Sequence, residues 1–164
     1  MSQSSRACAI VESEHSRSSH FFSADSCRRM ARLFNLGNII AVAPGLIMAP
    51  WILLGEAPHM TLIFMFILMV VPPILWFGVS IAIYTIARHH PNARVGHYTQ
   101  QAAYRFYGAF GIVIPVGTFY GTQWQLWIMT GGIVALILIP WSLWDLHRIQ
   151  QEPWQDTYGE GEPQ

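Results

Sequence analysis

The chain has 164 residues, room for a single domain, with 52% apolar residues, 11% charged residues and a formal net charge of zero. A balanced charge removes the electrostatic case for a nucleic-acid partner. Lysine is absent, so nine arginines carry every fixed positive charge.

Residues 1–32 are polar and Ser-rich, and are expected to form a disordered tail. No apolar core of about 7–15 residues precedes the first long apolar stretch, so a cleaved signal is not expected. Cys8 and Cys27 match no ligand spacing and read as free thiols.

Four apolar stretches follow, at 33–54, 62–87, 102–121 and 124–144. Each approaches or exceeds the roughly 20 residues a helix needs to cross about 30 Å of hydrocarbon. In the first, Gly37, Ala41, Gly45 and Ala49 recur four apart on one helical face. Helices in lipid attract through close packing, so this face is where another helix should approach. General enrichment of Gly in membrane spans is the competing explanation. The second stretch carries Pro72 and Pro73 near its middle, where a kink is expected.

The connection at 88–101 is the most polar internal segment. It holds Arg88, His89, His90, Arg94, His97 and Gln100, with Arg105 just beyond. Pro91 and Gly96 should break it, and helix should resume near Thr99. No HxxxH pair sits there on one helical face, and the arginines would repel a divalent cation. The segment therefore reads as an interfacial anchor rather than a metal site. In the third stretch Gly117 and Gly121 form a GxxxG pair, and Gly131 with Ala135 offers a matching small face on the fourth. Residues 149–164 are expected to be a second disordered tail.

Arginines lie before the first stretch (Arg28, Arg29, Arg32), between the second and third (Arg88, Arg94, Arg105) and after the fourth (Arg148). The other two connections have none. That alternation predicts an even number of spans with both ends cytoplasmic. Trp51 and Trp124 at one level, and Tyr104, Phe106, Tyr107, Trp141 and Trp144 at the other, place aromatic belts at the same boundaries. The expectation is an all-α membrane protein: four transmembrane helices in a bundle over 33–148, between two cytoplasmic tails. The expected setting is the bacterial inner membrane.

Chemistry-bearing groups are sparse. A membrane haem would need histidines within the spans, and stretches 33–54, 62–87 and 124–144 have none. No ionisable residue lies at depth, which speaks against ion-coupled transport. Asn35, Asn38, Ser80, Thr85, Thr118 and Thr130 suffice for interhelical hydrogen bonds. GxSxG, HExxH, P-loop and dinucleotide fingerprints are missing, so neither catalysis nor a cofactor is expected. Two functional readings remain. The first is a non-catalytic assembly subunit whose partners are lipid and either itself or other membrane subunits. The second is a transporter or channel for a neutral or weakly charged solute.

The run Pro91-x5-His97-Tyr98-Thr99-Gln100-Gln101-Ala102-x3-Phe106 resembles a motif of one bacterial family. Its members are small four-helix membrane proteins related to a component of the chloroplast inner-envelope protein-import machinery. The resemblance covers about residues 70–148. Ala102 falls one position late, and the family's aromatic-rich proline ending is missing. What the resemblance implies is a scaffold or translocation role and no enzyme activity.

Overall fold

The computed structural model describes residues 20–54 and 59–159. Expectations for 1–19, 55–58 and 160–164 lie outside the described residues. The order is β1 (His20–Phe22), α1 (Ala24–Leu54), α2 (His59–Arg88), α3 (Ala93–Tyr120), α4 (Trp124–Gln151) and β2 (Thr157–Gly159). Among the described residues the structure is all-helical apart from the short antiparallel β1–β2 ribbon, in which Phe21 pairs with Tyr158. Residues Ala24–Trp51, Ile63–Arg88 and Gln125–Gln151 are long and apolar enough to cross a membrane. Helix α3 is long enough too, but Arg105, four tyrosines and four glycines dilute its apolar content. Helix runs through the prolines at 44, 50, 72, 73, 115 and 140 without interruption.

Both tails need correction where they are described. Helix α1 begins at Ala24, nine residues before the first apolar stretch. Ser23 caps it: its hydroxyl accepts from the Ser26 amide at 3.3 Å, and its carbonyl accepts from the Cys27 amide at 3.0 Å. Cys27, Ala31 and Phe34 recur at helical spacing and are fully buried, so the packed face continues beyond the apolar run. At the other end, residues 152–159 fold back and bury Trp154. The indole N–H of Trp154 donates to the Ile149 carbonyl at 2.9 Å.

Helix α1 is the hub, packing against the other three. The main core joins Phe34, Ala41, Val42, Ala103, Phe106 and Leu138. A second cluster at the arginine-rich end joins Cys27, Ala87, Val95, Tyr98, Ile149 and Trp154. Ala49, Met69 and Ile128 close the opposite end.

The small residues of α1 are spent inside this chain. A Cβ at Gly37 would lie 2.0 Å from the Trp76 ring, so the indole occupies the space a side chain would take. Gly45 lies against the Gly131 backbone, with its Cβ position 3.6 Å from that carbonyl oxygen, and Ala49 meets Gly132. Ala41 and Ala135 are both buried in the main core. In the hairpin of α3 and α4, Gly117 receives the Trp127 ring, and a Cβ at Gly121 would lie 2.6 Å from the Gly117 carbonyl oxygen.

These contacts separate two glycines of one stripe. Gly37→Ala should expel Trp76 and cost about 1–3 kcal/mol, the usual range for overpacking. Gly45→Ala meets only ordinary contacts, with Met69 Cγ at 3.5 Å, and should be neutral or slightly stabilising through helix propensity. Thermal unfolding midpoints of the two purified variants in one detergent test this, and equal midpoints would contradict it.

Candidate functional site at the arginine-rich end of the bundle

Polar groups gather in the half of the bundle that carries the arginines, in three tiers. The deepest ties three helices together. The Trp76 indole N–H donates to Asn38 Oδ1 at 2.9 Å, and Asn38 Nδ2 donates to the Ala102 carbonyl at 3.2 Å. Beside it, the Ser80 hydroxyl donates to the Phe77 carbonyl at 2.8 Å and lies 3.0 Å from the Tyr107 hydroxyl. In an apolar environment each such bond matters because the alternative is an unsatisfied group. Asn35 and Thr99 are also buried, and their side-chain polar atoms have no partner among the described residues.

The middle tier is one ion pair. Arg105 Nη1 donates to Asp145 Oδ2 at 2.6 Å, and Asp145 is 2% exposed. The guanidinium also lies 5.2 Å from the Trp141 ring centre. The pair joins α3 to α4 where their apolar faces end.

The outer tier is a cap built from the α2–α3 connection and the segment after α4. Asn92 is its pivot. Its side-chain oxygen caps α3 by accepting from the Arg94 amide at 3.0 Å, while Nδ2 donates to Thr157 Oγ1 at 3.1 Å. Helix therefore resumes at Ala93, six residues before the expected Thr99. Gly96 does not break it. Gly96 instead lets α3 pass close to the end of α2, its Cβ position lying 3.5 Å from the Arg88 carbonyl oxygen. Arg94 Nη1 donates to the Pro153 carbonyl at 2.8 Å, and the Ala24 amide donates to Asp156 Oδ1 at 2.7 Å. Tyr98 donates to the Glu152 carboxylate. Burial and that carboxylate push its phenol up to about 12, so it stays a donor.

The residues expected to form one interfacial loop separate into different surroundings. His89 and His97 are exposed. His90 Nδ1 accepts from the Asn92 amide at 3.1 Å, and its ring meets Phe22 edge-on at 4.7 Å. Burial lowers its pKa, so the neutral ring is favoured, with Nε2 carrying the proton. Arg94 and His97 line a surface cavity with Arg148 and Glu152. His89 and His90 line another with Arg29. Arg88 reaches back to the Tyr84 hydroxyl at 3.0 Å, Gln100 bonds the Tyr104 hydroxyl, and neither lines these cavities. No three His, Cys, Asp or Glu side chains converge at metal-binding spacing among the described residues.

Sequence reasoning missed Asp145, Trp154 and Asp156. Of these, Trp154 gave a signal, as the one tryptophan in a mostly polar tail. In the outer half, away from the arginines, the helices enclose a cavity of about 210 Å³ lined by apolar residues and glycine, among them Val42, Gly45, Met69, Phe110 and Trp127. No family model matches the chain, and no curated protein or solved structure matches it either.

The ion pair yields an asymmetric prediction. Arg105→Leu leaves Asp145 buried without its partner and should cost about 3–5 kcal/mol. Asp145→Leu leaves Arg105, whose side chain is 25% exposed, and should cost clearly less. The Leu/Leu double variant should recover most of the Arg105→Leu loss. Midpoints in a denaturant titration of the three variants check this, and an equal cost for both single changes would refute it.

Proposed function

We propose that this protein is a non-catalytic assembly subunit of the bacterial inner membrane, crossing it four times with both ends cytoplasmic. The observation that carries the assembly reading is the uncovered face of α3. A Cβ at Gly108 or Gly111 would find no atom within 4 Å. Tyr104, Pro115 and Thr118 lie on the same face at successive turns, and all are exposed. A helix facing lipid has reason to present large apolar side chains, as α2 does with Ile63, Phe64, Ile67, Ile74 and Leu75, with a single uncovered glycine, Gly78, among them. Here bare backbone faces outward on the least apolar of the four helices. Such a surface admits the backbone of a second helix at short range.

The four-span reading is supported by connectivity. Four residues separate α2 from α3 and three separate α3 from α4, while α2 and α4 are each apolar enough to cross. Short connections between two helices that can cross support a crossing by α3 as well. The arginine distribution then supports the orientation. The motif resemblance adds a scaffold or translocation setting, in which Tyr98, Thr99, Ala102 and Phe106 serve packing, since all four are buried. Solute passage has less support, because the cavity between the helices is lined without a polar side chain.

Phosphatase and fluorescent-protein fusions at Gly55, Arg94 and Gln164 test the topology. Phosphatase activity is expected at Gly55 alone, and activity at Arg94 would overturn four spans. Assembly has its own test. Gly108→Leu with Gly111→Leu adds volume where this chain has none, and leucine favours helix over glycine. The double variant should therefore keep its thermal midpoint while its native-gel mass falls toward one chain. A wild-type mass of one chain across several detergent concentrations would defeat the assembly reading.

A further inference from the structure

The groove between the arginine-rich ends of α1 and α2 has the composition of an amphiphile site. Its volume is about 390 Å³, within the range of roughly 300–1,000 Å³ usual for small-molecule sites. Ser26, Arg29 and His90 line its polar side, and Met30, Leu33 and Ile86 its apolar side. Arg29 is exposed, and no hydrogen bond or ion pair engages its guanidinium among the described residues. Two histidines, His89 and His90, line the site as well, and His90 has Nδ1 occupied by the Asn92 amide, which leaves its Nε2 proton free to donate. Leu33 and Ile86 are exposed and lie one turn deeper than Arg29 and His90 respectively, on the side toward the apolar stretches.

We infer that this groove binds one anionic phospholipid, its phosphate held by Arg29 and His90 and its chain running along Leu33 and Ile86. The inference rests on the membrane reading above and adds a ligand to it. Three observations select lipid over a free anion. The donors sit on the rim, the apolar wall continues directly from them, and that wall points into the stretch a bilayer would cover. A zwitterionic headgroup carries its own cation, which Arg29 would repel. A guanidinium fits a phosphate with two parallel hydrogen bonds, which lysine or histidine alone could not supply.

The test is native mass spectrometry of the full-length protein titrated with dioleoyl phosphatidylglycerol or with dioleoyl phosphatidylcholine. The wild type should hold one phosphatidylglycerol more tightly than phosphatidylcholine. Arg29→Gln should weaken phosphatidylglycerol about fivefold, the effect of one near-surface arginine. Leu33→Gln should weaken both lipids by wetting the chain wall. Arg94→Gln, in the other cavity, should change neither. Equal binding of the two lipids, wild-type binding by Arg29→Gln, or displacement of the lipid by millimolar inorganic phosphate would overturn the proposal. Native-gel mass and reporter topology measured on the same variants separate failure here from failure of the assembly or membrane readings.

Discussion

The contact on which the fold depends is the seating of the Trp76 indole in the notch at Gly37. The absence of a side chain at Gly37 lets α2 approach α1 until the indole N–H reaches Asn38, whose amide then donates to the Ala102 carbonyl. One glycine, one tryptophan and one asparagine thus tie three helices at one level. Phe34 packs edge-on against the same indole at 5.5 Å and against Tyr107 at 6.3 Å, so aromatic and polar contacts share one node. In lipid this matters more than in water. Helices already solvated by hydrocarbon gain little from burying leucine, and much from close packing and satisfied polar groups.

From that node the two ends of the bundle diverge. Toward the arginines, polarity rises through the Arg105–Asp145 pair to a cap in which β1, the α2–α3 connection and the segment after α4 interlock through Asn92, Arg94 and Asp156. Away from them, contacts thin to Met69, Ile128 and Ala49 around an apolar cavity. Hydrogen bonds and an ion pair hold one end, and apolar contacts hold the other.

Small residues do two different jobs here. Gly37 and Gly117 are filled by the Trp76 and Trp127 rings, and Gly45 lies in ordinary contact with the Gly131 backbone. Gly108 and Gly111 meet nothing. The two groups are indistinguishable as residue types, and both follow helical spacing. Within α3, what separates Gly117 from Gly108 and Gly111 is which face turns toward α1 and α4. Ala102, Ala103 and Phe106 take the inner face, leaving the glycines outside.

Residue order alone specifies four long helices, their apolar stretches and the alternation of arginine-bearing connections. These are local properties: hydropathy over about 20 residues is enough to read them. It also marked the Gly37–Ala49 stripe as a packing face, without saying what it packs against. It did not determine where helix begins. Ser23 and Asn92 are ordinary polar residues until the cap bonds and the buried faces of Cys27 and Val95 make them helix starts. Only the tertiary structure decided that residues 152–159 return to cover the helix ends, that Asp145 meets Arg105, and that the histidines part company. Each of those depends on side chains distant in the chain, and their pairing is set by how four helices rotate about their axes. Rotation is chosen by the sum of all the contacts, with the Trp76 node foremost, and no local window of sequence contains that sum.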